Sequence, residues 1–349
     1  MDQHRDRVPG RHSPANDSNN DTAVQETSND AAVSRESAAR LGYIDDPLIG
    51  HFVKQPQRRA PLINRGTYSR FHGIQNALRL FVQAIQNEKK ENDSSSFGGQ
   101  VVVLGAGMDT SYFLLTSEQR AAVRFYEIDF PDITSKKAAA IWRKRSLRAL
   151  LPADTAVAAG GTELHSDSFS LLAGDLRDFE PSVASKLRSR GFDEFLPTLF
   201  VSECVLIYLD PAHSDAILDW ITQNVPSAGI VTYEQILPDD RFGQMMIDNL
   251  RSRGLVLRGL HAYPTLESTA KRFLSRGWHS VRAIDLADYH DACVAPSEHD
   301  RMSHIERLDE WEEFRLLARH YAFTFACTND SHPLATLSSS SPSSSKPSA

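Results

Sequence analysis

The chain places a glycine pair and a series of carboxylates where short apolar runs end. Leu104-Gly105-Ala106-Gly107-Met108-Asp109-Thr110 directly follows the run Val101-Val102-Val103-Leu104. Glycines at such a point let the backbone turn tightly and let a ligand approach the main chain. A helix that follows would offer free amides and the positive end of its dipole. Dinucleotide sites need a third glycine so that helix and strand can pack closely. Thr110 stands at that position here. A nucleoside amino acid such as S-adenosylmethionine has no pyrophosphate and needs only the shorter signature. A ligand-free tight turn is the competing explanation. The loop's position after the first strand of an alternating unit favours a ligand.

Asp129 closes the next apolar run, Val123 to Ile128. A carboxylate there can accept hydrogen bonds from both hydroxyls of a ribose. Glu127, two residues earlier on the same side of the strand, is its rival. Asp175 follows the run Phe169 to Ala173 and can accept from an exocyclic adenine amine, with Leu176 against the ring. Taken alone, an ordinary Gly-Asp turn is the simpler explanation. Glu203 ends the run Thr198 to Ser202 and lies between apolar segments, where a carboxylate needs a partner. That partner is either the ammonium of an amino-acid ligand or an arginine of the chain. Arg65 and Arg70, in Pro61-Leu62-Ile63-Asn64-Arg65-Gly66-Thr67-Tyr68-Ser69-Arg70, read as a glycine-containing loop able to grip a carboxylate bidentately. A solvated surface is the alternative for them.

The elements that would position these groups alternate. Strands are predicted at 101–104, 123–128, 169–173, 198–202 and 230–233, with helices opening at Pro131 (to about 150), Asp210-Pro211 and Thr265. This alternation specifies an α/β fold with a parallel sheet. Before it, residues 41–90 carry Leu80, Phe81, Ala84 and Ile85 at helical spacing and predict a helical N-terminal layer. After it, 239–253 reads as a helix and 278–284 as a strand. Leu308, Trp311, Phe314 and Leu317 form a helical stripe, and Tyr321, Phe323 and Phe325 a last strand.

The 349 residues hold 41% hydrophobic and 24% charged side chains, the composition of a globular protein. The net charge of -7 gives no general attraction to nucleic acid or an anionic membrane. Cys204, Cys293 and Cys327 are too scattered for a zinc site or disulfide framework, which points to a reducing compartment. No apolar run resembles a secretory signal or a membrane span. A cytoplasmic location, extending to the nucleus, is the expectation.

Taken in order, several blocks resemble the leucine carboxyl methyltransferase family. They are Ile63-Asn64-Arg65-Gly66-Thr67-Tyr68, the glycine loop, Glu127-Ile128-Asp129-Phe130-Pro131 and Gly174-Asp175-Leu176-Arg177-Asp178. Glu203-Cys204-Val205-Leu206-Ile207-Tyr208, Tyr233-Glu234-Gln235 and Asp240-Arg241-Phe242-Gly243-Gln244-Met245-Met246 complete the set. The resemblance spans roughly Leu41 to Cys327. It implies a Rossmann-like class I S-adenosylmethionine-dependent methyltransferase sheet with an N-terminal helical layer. It also implies methylation of the C-terminal leucine carboxylate of the phosphatase 2A catalytic subunit, which regulates holoenzyme assembly. By motif position, Arg70, Gly105, Asp129, Asp175, Leu176 and Glu203 line the S-adenosylmethionine site. Arg70 faces the methionine carboxylate, Asp129 the ribose, and Asp175 with Leu176 the adenine. A basic residue is expected ahead of Leu41-Gly42-Tyr43, and Arg35 is the nearest. Residues 1–38 are expected to form a disordered tail, 39–335 a methyltransferase domain with an N-terminal helical lid, and 336–349 a serine-rich disordered tail.

A carboxylate acceptor is already ionised near neutrality, since a terminal carboxyl titrates near about 3.5. Direct displacement at a sulfonium methyl then requires no general base and no metal. Three other readings remain at this level. They are another S-adenosylmethionine-dependent O-methyltransferase, a nicotinamide-dependent oxidoreductase that shares the glycine loop and Asp129, and a binding module that keeps the fold without turnover. A related branch that modifies transfer RNA usually carries a long propeller region, for which this length leaves no room.

Overall fold

The computed structural model describes residues 14–91 and 97–338. Its centre is a nine-stranded sheet: β1 (Gly99–Leu104), β2 (Val123–Asp129), β3 (Ala156–Ala158), β4 (Glu163–His165), β5 (Phe169–Ala173), β6 (Thr198–Glu203), β7 (Ala228–Gln235), β8 (Ser280–Asp285) and β9 (Tyr321–Cys327). Their order is β3-β4-β5-β2-β1-β6-β7-β9-β8. The five strands from β5 to β7 run parallel, while β3–β4, β4–β5, β7–β9 and β8–β9 pair antiparallel. Every residue of β1 is buried, as expected of a strand covered on both faces. Chain order reverses between β1 and β6, so their carboxyl ends flank a crevice, the usual ligand position in open α/β sheets.

Helices cover both faces. On one face lies α1 (Pro14–Leu41) followed by α2 (Pro61–Glu91). Ile74, Leu78, Phe81 and Ile85 of α2 recur at helical spacing and pack in one core with Val101, Val103 and Val201 of the sheet. Each such side chain contributes about 1.5–3 kcal/mol through burial. α3 (Pro131–Arg143) packs on the α2 side through Ala138 and Ile141. The next three helices are α4 (Pro211–Asn224), α5 (Arg241–Ser252) and α6 (Leu266–Leu274). Met246 of α5 joins a separate cluster with Ala23, Ile207 and Tyr208, whereas α4 and α6 cover the other face. Ile217, Leu218 and Ile221 of α4 and Phe273 of α6 pack there against Val102, Phe200 and Ile230. The chain then returns through α7 (Leu286–Cys293), α8 (Pro296–Ile305) and α9 (Trp311–Arg319) to the α2 side.

Several local expectations are met. Pro131 and Pro211 occupy first-turn positions, and Thr265 caps α6 through a reciprocal capping box with Ser268. Asp210 sits at the N-cap of α4 but makes no capping bond. Its carboxylate lies 3.2 Å from Arg258 instead.

Four expectations are corrected. Residues 14–38, read as part of a disordered tail, form most of α1. Their polar composition conceals tertiary anchors: Asp21 pairs with Arg177 at 2.7 Å, Asp30 pairs with Arg253, and Ala32, Val33 and Ala38 enter the core. Residues 1–13 lie outside the described part. The arginine loop is helix: Pro61 starts α2, and Gly66 is absorbed within it at a modest propensity cost. The helix expected from Pro131 to about 150 breaks after Arg143, and a short turn at Arg145–Arg148 follows. Residues 336–338 complete a helical turn in which buried Ser338 donates to Ser280 Oγ at 2.9 Å, while 339–349 lie outside the described part. The edge strands β3 and β4 had no alternating signal and were not expected.

Gly243, inside the Asp240–Met246 block, shows why that block is constrained. A Cβ there would lie 2.0 Å from the Leu237 carbonyl oxygen. Asp240 caps α5 by accepting from the Gly243 amide at 2.7 Å and also meets His320 Nε2 at 2.9 Å. Gly243→Ala should lower stability by about 1–3 kcal/mol or more through overpacking. A urea midpoint equal to that of the parent protein would show that this backbone contact is not tight.

Candidate active site

A cavity of about 530 Å³ opens at the carboxyl ends of the parallel strands. Gly105, Asp129, Asp175, Leu176, Glu203 and Arg70 all line it. The structure therefore brings every motif-assigned residue to one place.

Gly105 has φ +64°, and a Cβ on it would lie 2.5 Å from a methyl of Val205. Only glycine allows this turn to close against the β6 segment. The Gly107 amide donates to Asp129 Oδ2 at 2.6 Å, and the Phe130 amide donates to Oδ1 at 2.7 Å. Asp129 is thus fixed at the end of β2. Burial pushes its carboxyl above the ordinary aspartate range, against the pull of these two amides. Glu127, its rival, is not among the residues that line the cavity. It is fully buried against Lys137 at 2.6 Å, and burial, partly offset by Lys137, lifts its carboxyl to about 7.

Arg70 reaches the cavity from α2, not from a loop. Its Nε donates to Glu203 Oε2 at 2.7 Å, and its guanidinium lies 5.1 Å from the Tyr233 ring centre. The bond uses Nε, so the terminal nitrogens can fork around a carboxylate. The pair offers opposite charges side by side, which suits the zwitterionic end of an amino acid. Asp175 is held by Arg177, which donates to both carboxylate oxygens at 2.6–3.0 Å. An adenine amine would share this carboxylate with Arg177. Leu176 is buried beside it.

Arg35 is firmly anchored on α1. It donates to Asp46 at 2.7 Å, to Asp109 at 2.9 Å and to Thr110 Oγ1 at 2.7 Å. Thr110 in turn donates to Asp46 at 2.6 Å. The residue in the third glycine position is therefore committed to a polar cluster, and only the short turn Ser111–Leu114 follows it. A long helix aimed at a pyrophosphate is not formed there. Sequence reasoning placed no role on Asp46, because its partners come from distant segments.

Cys204 has φ +55°, a strained conformation for a residue with a side chain. Its thiol lines the cavity, and burial pushes it up to about 12. Tyr233 and Tyr321 stack with ring centres 5.3 Å apart and form one wall. The lining also includes the apolar side chains of Ile63, Leu286, Phe314 and Leu317. Among the described residues no cluster of His, Cys, Asp and Glu could hold a metal ion, and no helix is long and apolar enough to cross a membrane.

A Rossmann-like sheet with this crevice, an acidic residue after β2 and a zwitterion seat fits a nucleoside that carries an α-amino acid. The class of protein that such a fold and cavity suit is the S-adenosylmethionine-dependent methyltransferase, and the family match agrees. Residues 23–222 match the family model described as leucine carboxyl methyltransferase. The leucine carboxyl methyltransferase 1 homolog of Arabidopsis thaliana is 39% identical over 307 residues, covering 88% of this chain and 90% of that protein. The rat leucine carboxyl methyltransferase 1 is 34% identical over 311 residues, again covering 88% and 90%. The human tRNA wybutosine-synthesizing protein 4 is 35% identical over 316 residues, or 89% of this chain and 45% of that protein. The chain belongs to the leucine carboxyl methyltransferase family.

The Arg35 cluster leads to a stability prediction. Arg35→Ala leaves Asp46 and Asp109 without their cation, and losing one partner of a buried pair costs about 3–5 kcal/mol. Denaturant titration should show this loss, with faster proteolysis within α1. A variant as stable as the parent would mean that α1 is held by other contacts.

Proposed function

We propose that this protein esterifies the α-carboxylate of the C-terminal leucine of the phosphatase 2A catalytic subunit with a methyl group from S-adenosylmethionine, and so regulates holoenzyme assembly. The observation that carries this reading is that one cavity is lined both by the Arg70–Glu203 pair and by the apolar Ile63, Leu286, Phe314 and Leu317. The ion pair suits an amino-acid zwitterion and the apolar side chains a branched aliphatic group. The naming of the relatives and the sequence resemblance agree with it.

In this reading the donor supplies an electrophilic sulfonium methyl. Arg70 takes the donor's carboxylate and Glu203 its ammonium. Asp129 accepts from the ribose hydroxyls, Asp175 and Leu176 meet the adenine, and Gly105 lets the backbone come close. The acceptor oxygen forms its bond to the methyl carbon as the carbon–sulfur bond breaks, leaving S-adenosylhomocysteine. The acceptor enters ionised, so no side chain has to remove a proton. The chain's work is alignment and exclusion of water. The raised Cys204 thiol and the tyrosine wall supply neither base nor charge to that step. The protein would act in the cytoplasm, and also in the nucleus, with the phosphatase subunit as its partner and neither nucleic acid nor membrane required.

Purified protein should transfer labelled methyl to the phosphatase catalytic subunit, and deleting the terminal leucine should abolish the signal. Persistent labelling after the deletion would reject this acceptor. Asp129→Ala should weaken S-adenosylmethionine binding by about 1.5–3 kcal/mol, the worth of hydrogen bonds to a charged group. Calorimetry that finds the parent affinity would move the ribose contact elsewhere.

A further inference from the structure

Glu234 is a carboxylate of the Tyr233-Glu234-Gln235 block with no part in the site described so far. Alternation along β7 turns it away from the cavity that Tyr233 and Gln235 line. It accepts from three successive backbone amides: Val205 at 3.3 Å and Leu206 at 3.1 Å on Oε1, and Ile207 at 3.3 Å on Oε2. Consecutive amides that converge in this way form an anion-binding concavity. Here the chain fills the concavity with its own side chain.

The segment held in this way joins three parts of the site. Glu203 precedes it and pairs with Arg70. Val205, in its first position, is the residue against which Gly105 closes. Tyr208, just after it, lines the cavity and packs with Ala23 of α1. The segment is entered through Cys204 at φ +55°, with the Cys204 amide tied to the Tyr233 carbonyl at 2.7 Å. A strained entry of this kind persists only when surrounding bonds over-determine it. The three amide bonds to Glu234 do so.

We propose that Glu234 is a positioning residue for methyl transfer: it holds the Val205–Ile207 turn, and through that turn the glycine loop, Glu203 and Tyr208, in the arrangement that aligns donor and acceptor. The assignment rests on the methyltransferase reading above. Cys204 and Tyr208 on the turn side and Arg272 of α6 are the titratable and charged groups that face Glu234. Burial lifts its carboxyl to about 7, and the amides and Arg272 offset this only in part. The fully charged acceptor is therefore present above that pH and is lost as pH falls through it.

The test compares the parent protein with Glu234→Gln and Glu234→Asp by hydrogen exchange and by steady-state kinetics across this pH range. In Glu234→Gln, exchange in the segment from Glu203 to Tyr208 should quicken by about tenfold or more while the sheet core is unaffected. Its kcat should drop about tenfold or more with both KM values nearly unchanged, as expected for misalignment. Parent kcat should decline as pH falls through about 7, and this limb should vanish in Glu234→Gln. Glu234→Asp keeps the charge and should keep the limb with an intermediate kcat. Unaltered exchange in the segment, or a limb that survives in Glu234→Gln, would overturn the assignment. Exchange needs no turnover. A parent protein that methylates nothing would therefore sink the functional reading, while the exchange result would still decide what Glu234 does to the turn.

Discussion

The guanidinium of Arg35 meets Asp46, Asp109 and Thr110, which come from the segment after α1 and from the loop after β1. Three of these groups are ionisable and almost removed from water, so none can stand there without the others. The same rule applies around the cavity. Lys137 and Glu127 are fully buried together, Arg70 answers Glu203, and Arg177 answers both Asp175 and Asp21. Such pairs add little net stability over apolar substitutes, but losing one member is expensive. They therefore specify which segment lies against which. The layers outside the sheet are located by the charges that also shape the site.

This matters because the chemistry asks for so little else. An ionised acceptor and an activated methyl leave geometry as the main catalytic demand, and small displacements are costly in such reactions. The residues that face the cavity are accordingly carried on rigid elements. Arg70 projects from a long helix, while Asp129 and Glu203 end buried strands. The tyrosine wall comes from β7 and β9, which are paired along seven residue positions. Asp175, Leu176, Cys204 and the glycine loop lie instead in turns, and the glycine loop is pressed between Val205 and the carboxylate of Asp129.

Much of this could be read from the chain. The five parallel strands announced themselves as short apolar runs, because a strand buried on both faces has no polar side to blur the pattern. The carboxylates at their ends could be seen as a set, and one cavity gathers them. What stayed hidden depended on distant partners. Helix α1 is polar by composition and is stabilised by Arg177, Arg253 and the core, none of which local sequence reveals. The helical state of Arg65 and Arg70 was masked by Gly66, whose local preference is outweighed by the packing of the rest of α2. Strands β3 and β4 are three residues each, too short to show a period. The mutual pairing of Arg70 and Glu203 was foreseen only as an alternative to a ligand contact.

Cys204 lines the same cavity as Arg70, Asp129 and Glu203. Its thiol, pushed up to about 12, stays protonated at cellular pH. The thiolate is the form that peroxide and alkylating agents attack. Burial therefore disfavours the reactive form of this sulfur, even though the residue lines the cavity.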